Sequence, residues 1–385
     1  MKFANLQPYV TNARSLNVDW GSTRYILDRQ TRADFETLVA DLEQTGMAVA
    51  QRHTIGENQY ATLRGGDGDV AVSYFNFNHT VCIVTDDMDN RKAPTLTPVA
   101  YEKLTTPKLA LIGPENCSDP DRLCSLSIVL TLSDGSFIVY DGGYDEDAPL
   151  LLDYLEKNNV RNEKPRIAAW VLTHSHGDHY FAAKNIAANN ADRVTVEEFV
   201  LNPRVSQYEY EQYEPYLGEH FRTYTLPQFE GAVIVKPHTG QKLYYRDAEL
   251  EILHTQEEVL PNYFRWLNET SLISRVYLGG QRIFFPADGE IGIDVVLPAM
   301  YGDALESEFL QEPHHAFSGG SYTLFDLVRP KVALFVTNET SFLKYSKPSY
   351  NNGFNDHLLS IVDEYYLSWR GTKVFELPYI TTPKK

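Results

Sequence analysis

The sequence is short of cysteine, of basic charge and of long apolar runs. Three cysteines occur in 385 residues, Cys82, Cys117 and Cys124. So low and odd a count argues against a disulfide framework. Cys117 and Cys124 lie close together and are candidates for pairing or metal binding; the plainer reading is two reduced thiols. Lys and Arg total 34 against 52 Asp and Glu, a formal net charge of −18. A field of that sign repels nucleic acid unless a basic groove offsets it, and the sequence has no dense Lys/Arg cluster. This argues against a dedicated nuclease but not against a small anionic substrate, because bound cations reverse the sign locally. No apolar run reaches the roughly 18 residues of a membrane span, so no membrane partner is expected. The opening stretch, Met1 to Arg14, lacks the apolar core of a secretory signal, and a cytoplasmic location is the expectation. There is no phosphate-binding glycine loop, no dinucleotide fingerprint and no Gly-x-Ser-x-Gly elbow.

What is present divides into two parts. Residues 1–106 read as a small α+β unit and residues 107–385 as a larger layered α/β domain. In the first, Phe35, Leu38, Val39 and Leu42 recur at helical spacing between Thr31 and Gly46, with Asp34 and Glu36 in the first turn and Gly46 as the stop. Strands are expected over Gln59–Arg64 and Asp69–Phe77, joined by the turn Gly65-Gly66-Asp67-Gly68, and over Thr80–Thr85. Arg91–Pro107, with three prolines, reads as a linker. Beyond it, strands are predicted over Ser125–Leu132, Phe137–Tyr140, Ile167–Leu172, Thr195–Leu201, Leu250–Leu253, Ser271–Tyr277, Arg282–Phe285 and Val332–Val336. Helices are predicted over Asp147–Asn159, Tyr180–Asn189 and, near the end, His357–Tyr366. Two sets of strands interleaved with helices fit an α/β fold of the αββα sandwich type. The tyrosine-rich stretch Ser206–Phe229 is either a wall over a site or a surface insertion packed on the domain.

The chemistry concentrates in His174-Ser175-His176-Gly177-Asp178-His179. Three imidazoles and a carboxylate stand within six residues, after an apolar strand and at the opening of a helix. Imidazole and carboxylate suit Zn²⁺ and similar divalent ions. In extended chain His174 and His176 point the same way and can share one ion, while Asp178 and His179 lie a turn further on. Unpaired, these groups would be costly to desolvate at a strand end.

This run, with the strand before it and Asp141-Gly142-Gly143, resembles the metallo-β-lactamase superfamily. Later landmarks match in order. Ile283-Phe284-Phe285-Pro286-Ala287-Asp288 resembles the strand that ends in the family's bridging aspartate. Pro313-His314-His315-Ala316 and Asn268-Glu269-Thr270-Ser271-Leu272 resemble segments of the branch that contains the hydrolase domain of bacterial DNA-uptake channel proteins. The resemblance runs from about Leu109 to the C-terminus. It implies that His174 and His176 bind a first metal, Asp178 and His179 a second, and that Asp288 bridges them. One of His314 and His315 completes the second site, His315 being preferred; the other contacts substrate or acts as an acid. Asp141 orients the metal loop by hydrogen bonds rather than as a ligand.

The sequence departs from the family in three places. The usual third histidine of the first metal has no clear counterpart; His254 and Glu258 are candidates, or the position is empty. The glycine after the histidine pair is Ala316, a mild change. Where the branch has Tyr-Gly-His-Pro, this chain has Tyr345-Ser346-Lys347-Pro348, which makes Lys347 a candidate substrate contact.

The expected activity is therefore metal-dependent hydrolysis, with two Zn²⁺ as the default and Mn or Fe as alternatives. Asp178 or Asp288 would orient the attacking water, and His314 or His315 would protonate the leaving group. A phosphoester or phosphodiester small molecule is the first substrate class. A carboxylic ester, lactone, thioester or amide is the second, and a non-catalytic metal-binding member the third. The N-terminal unit is open to three roles: shaping the pocket, forming a homo-oligomer interface, or binding a ligand of its own.

Overall fold

The structure, a computed structural model, describes residues 3–18, 20–87, 91–115, 119–121, 127–203, 216–259, 267–290 and 292–383. Cys117, Cys124 and the tyrosines Tyr208, Tyr210 and Tyr213 lie outside the described residues; Cys82 is a free, buried thiol. No helix among the described residues is long and apolar enough to cross a membrane.

The N-terminal part is a six-stranded antiparallel sheet in the order Arg14–Asn17, Ser22–Leu27, Thr80–Asp86, Gly68–Phe75, Asn58–Gly65, Ala48–Ile55. One helix, Arg32–Gln44, crosses it. Thr31 caps that helix by a reciprocal pair: its hydroxyl accepts from the Asp34 amide, and the Asp34 carboxylate accepts from the Thr31 amide. Phe35, Leu38, Val39 and Leu42 are buried, packed on Leu63, Val70, Val72 and Ile83. Gly68 closes the hairpin at a φ of 131°, where a Cβ would lie 2.1 Å from the Asp86 carbonyl oxygen. Three strands of this sheet were not expected from sequence. Arg14–Asn17 is a polar, mostly exposed edge, and Ala48–Ile55 carries Gln51, Arg52 and His53 without clean alternation.

The larger part is the expected αββα sandwich. One sheet runs Val233–Val235, Glu198–Val200, Arg166–Val171, Phe137–Asp141, Ser127–Thr131, Lys108–Leu111, Lys373–Glu376, with Thr195–Val196 pairing beside it. The other runs Lys242–Tyr245, Ala248–His254, Ile273–Leu278, Gln281–Phe285, Phe309–Gln311, Val332–Phe335, Glu364–Leu367. Between them lies a dry layer including Leu130, Tyr140, Val171, Leu250, Val276 and Phe285. Tyr140 stacks on Phe285 at 3.7 Å, and its hydroxyl meets the Ser274 hydroxyl at 2.7 Å. Helices Ala148–Lys157 and Gly177–Asn189 cover the first sheet, and Tyr322–Val328 and Phe354–Ile361 the second. The final predicted helix overran. It stops at Ile361, and Glu364–Leu367 is an edge strand, because Val362 already has extended backbone and the residues after it alternate. In the stretch over 216–229, Leu217, Phe221 and Phe229 pack with Trp170 and Phe199, while Tyr224 is exposed.

The N-terminal sheet docks by its second face. Ile26, Ile55, Tyr60, Phe75 and Cys82 join Leu253, Leu297, Met300 and Tyr301 in one apolar cluster. The Asn58 amide donates to the Met300 carbonyl at 2.7 Å, and the Gln51 side chain both donates to the Lys242 carbonyl and accepts from its amide. Charge is buried in the same junction. His238 is held between Glu257 (2.9 Å) and Asp86 (3.3 Å); Lys236 lies 3.7 Å from Glu257, and Arg91 pairs with Asp86. Burial lowers the basicity of His238, but Glu257 and Asp86 outweigh it and raise its pKa to about 9. A pKa raised on folding contributes stability in full below the unfolded value of about 6.5, and that contribution is lost as pH rises through about 9. Stability should therefore fall by about 3 kcal/mol from this group between pH 6.5 and 10. Urea midpoints across that range will show it, and His238→Gln should flatten the slope; an unchanged slope in the variant would contradict the assignment.

Candidate metal centre

The functional residues sit where strands end. In the first sheet, Phe137–Asp141 and Arg166–Val171 run parallel and finish side by side; in the second, Gln281–Phe285 and Phe309–Gln311 do the same. Asp141, the run from His174 to His179, Asp288 and the His314–His315 pair follow these four ends. The two sheets are tied at this rim by the Leu272 amide, which donates to the Thr173 carbonyl at 2.9 Å.

Asp141 builds the site without facing its centre. It is fully buried with a left-handed φ of 53°. Its carboxylate accepts from the Thr173 amide (2.7 Å), the Thr173 hydroxyl (2.8 Å) and His179 Nδ1 (2.8 Å). Burial raises its pKa, against the opposing pull of His179 and these hydrogen bonds. The bond to Nδ1 fixes the His179 tautomer and turns Nε2 inward. On the opposite wall, His315 Nδ1 donates to the Val336 carbonyl at 2.8 Å, turning its own Nε2 inward as well.

The inward atoms fall into two sets that share one residue. Ligand atoms of Asp178, His179, Asp288 and His315 lie within 4.8 Å of one another, and so do those of His174, His176 and Asp288. The Nε2 atoms of His179 and His315 face each other at 3.3 Å; Asp288 Oδ2 lies 3.1 Å from the first and 3.5 Å from the second, and Asp178 Oδ2 is 3.2 Å from His315. With Nδ1 donating on both rings, each Nε2 of a neutral imidazole presents a lone pair. Two lone pairs and two carboxylates cannot converge unless protons or a cation lie among them. Electrostatics says the same: despite burial, Asp288, Asp141 and Asp178 lift His179 to about 10, and His315 also rises well above its ordinary range. Asp288 is buried too, yet His179 and His315 hold its carboxyl well below the usual range. Its Oδ1 has no hydrogen-bond partner among the described residues. A buried, orphaned carboxylate oxygen at the junction of two imidazole-bearing sets fits divalent cations and is hard to reconcile with a purely structural role.

In the set of His174, His176 and Asp288, His174 Nε2 is 3.0 Å from His176 Nδ1 and 3.8 Å from Asp288. Burial holds His174 well below its ordinary pKa and lowers His176. Neither candidate for a further ligand joins them among the described residues. Glu258 is turned away, paired at 2.6 Å with Arg24 of the N-terminal sheet. His254 is buried and stands by Gly292 and the Ser271 carbonyl, its pKa lowered by burial to about 4. Lys347 is exposed in the turn after Tyr345.

His314 adjoins the sets without belonging to either. Its Nδ1 meets Ser318 Oγ at 2.7 Å and Glu290 at 3.1 Å; its Nε2 faces the Asn268 amide nitrogen at 3.1 Å and lies 3.9 Å from Asp288. Asn268, Glu290 and Ser318 are additions that sequence did not single out by role. The first lies in the Asn-x-x-Ser-Leu resemblance, the second two residues past Asp288, and Ser318 carries no signal. His314, His315 and Ala316 take φ values of 47°, 53° and 69°. The replacement of glycine by Ala316 is thus not mild: a left-handed backbone at a non-glycine residue costs roughly 1–2 kcal/mol. The buried Asn355 amide, donating to the Ala316 carbonyl at 2.9 Å, helps hold the loop.

Residues 121–294 match the sequence model of the metallo-beta-lactamase superfamily, a span that holds the His174–His179 run and Asp288 and ends before His314. No curated protein matches the chain. Among solved structures it is similar to the metallo-beta-lactamase fold protein YhfI from Bacillus subtilis, at 12% identity over 70% of this chain and 99% of that one, with a TM-score of 0.41. It is also similar to CmlA, a diiron beta-hydroxylase from Streptomyces venezuelae, at 12% identity over 73% of this chain and 55% of that one (TM-score 0.42). A third is Zn²⁺-bound PqqB from Methylobacterium extorquens, at 10% identity over 71% of this chain and 100% of that one (TM-score 0.44).

Proposed function

We propose that this chain is a metal-dependent hydrolase of the metallo-beta-lactamase superfamily acting on a small phosphoester or phosphodiester. The observation that carries the reading is the pair of ligand sets joined at Asp288, with its buried unpartnered oxygen. His174 and His176 would hold one divalent ion, Asp178, His179 and His315 a second, and Asp288 both. Bound there, such ions bring the pKa of water toward neutrality and offset charge on the substrate's oxygens. The donor set favours zinc, with manganese or iron also compatible.

The chain's own part is orientation and proton handling. Asp141 and the Val336 carbonyl fix the tautomers of His179 and His315, so both present Nε2 before any ligand arrives. Asp178, partly exposed, would orient the attacking water. His314, steadied by Ser318 and Glu290, would serve the leaving group. The choice of phosphoester rests on the likeness of Pro313–Ala316 and Asn268–Leu272 to the branch that includes the DNA-uptake channel hydrolases.

The direct test is hydrolysis of bis(p-nitrophenyl) phosphate by purified protein with and without a chelator. Chelator-sensitive turnover is expected. Metal bound without turnover would remove the phosphodiester reading and send the search to lactones and thioesters. Asp141→Asn probes the supporting shell. An amide nitrogen would face His179 Nδ1, disturbing the tautomer, and metal affinity should fall roughly 10–100-fold in a chelator competition. Affinity within threefold of the parent protein would deny Asp141 that role.

A further inference from the structure

A row of rings leads out of the site on the His314–His315 side. Phe317 has its ring centroid 5.9 Å from that of His314 and 6.2 Å from that of His315. Tyr345 packs edge-on against Phe317 at 5.0 Å, and Tyr350 against Tyr345 at 5.6 Å. The Lys344 ammonium lies 4.7 Å from the Tyr345 ring and 5.6 Å from the Tyr350 ring.

Tyr345, in the middle of the row, is partly buried against the core of the second sheet, but the two ends of the row are open. Phe317 is 37% exposed and Tyr350 39%, whereas nearby Phe335 at a strand end and Phe342 in the helix Glu339–Tyr345 are 0% and 8% exposed. Folding gains little from leaving ring faces in water, while a flat ligand gains stacking area from them. The row is continuous with the imidazoles of His314 and His315, so a ring carried on the substrate would meet Phe317 beside the ligand sets. Its far end carries a cation in a chain of net charge −18, which suits an anionic aromatic ligand.

We infer that Phe317, Tyr345 and Tyr350 form a subsite for a flat aromatic group attached to the substrate's phosphorus, so that this site selects aryl over alkyl phosphoesters. The inference rests on the hydrolase reading for the position of the phosphorus, but its test separates the two. Calorimetry on the metal-loaded protein compares phenylphosphonate with methylphosphonate, which carry the same anion and differ in the ring. Ring stacking of the usual strength predicts about tenfold tighter binding of the phenyl compound. Phe317→Leu, which keeps apolar bulk and protects the fold, and Tyr345→Ala should each erode that preference while leaving methylphosphonate affinity unchanged. In turnover, KM should rise in both variants for bis(p-nitrophenyl) phosphate and for methyl p-nitrophenyl phosphate, since each carries an aryl ester next to His314. Equal affinity for the two phosphonates, a preference that survives both substitutions, or failure of phenylphosphonate to bind overturns the subsite. A ring preference without hydrolysis of any phosphodiester overturns the hydrolase reading and leaves the subsite standing.

Discussion

Asp288→Asn should strip the centre of metal and of activity together. The substitution is nearly isosteric, so the strand end and its packing survive, but it removes the one charge common to both ligand sets. It also weakens the acceptor that His179 meets at 3.1 Å and His315 at 3.5 Å. Loss of an outer partner costs such sites about 10–100-fold; loss of a shared ligand should exceed the upper figure in kcat/KM. Metal content by inductively coupled plasma mass spectrometry should fall in the same preparation, with circular dichroism unchanged. A variant that keeps its metal and hydrolyses within tenfold of the parent rate would refute the arrangement built around Asp288.

Arg24→Met should be the most destabilising single change away from the centre. The guanidinium is buried, pairs with Glu258 at 2.6 Å, donates to the Glu257 carbonyl and touches Cys82 Sγ at 3.3 Å. Burial raises the pKa of Glu258, and Arg24 is the main group opposing that rise. Removing one partner of a buried pair leaves an uncompensated charge, at a cost of about 3–5 kcal/mol. Urea unfolding measures it. Glu258→Leu in the same background should recover part of the loss, because no buried charge is then stranded. Metal content should be unaffected in both proteins, which separates the pair from the metal centre. A loss below about 1 kcal/mol would show that water reaches the pair.

The sandwich and the residues gathered at its candidate site were both legible in part from the sequence. Three imidazoles and a carboxylate from His174 to His179 mark a candidate metal site by their spacing, and Asp141 and Asp288 stand at or just beyond the ends of plainly apolar strands. The fold was readable where one period dominates, as at Phe35, Leu38, Val39 and Leu42. It failed where neighbours decide. Arg14–Asn17 is a strand only because Ser22–Leu27 pairs with it. Glu258, near the expected third ligand in sequence, is claimed by an arginine more than two hundred residues earlier. Ala316 looked harmless because composition does not reveal a φ of 69°. The row from Phe317 to Tyr350 carries no periodic signal, since its members come from separate loops and helix ends.

The junction of the N-terminal sheet with the sandwich bears on how the chain is made. Asn58 and Tyr60 meet Met300 and Tyr301 across 242 and 241 residues. At 5–20 residues per second, a ribosome needs about 10–50 s between finishing the first face and producing its partner. The six strands can pair and take on their helix at once, because those contacts are local. Their second face, with Ile26, Ile55, Tyr60 and Phe75, then waits uncovered through most of translation. Contacts so distant in sequence form last and slowly. The growing polypeptide is therefore most exposed to aggregation not at the loops of its candidate metal centre but at this early, half-finished surface, and holdase chaperones acting on nascent chains would find their target there.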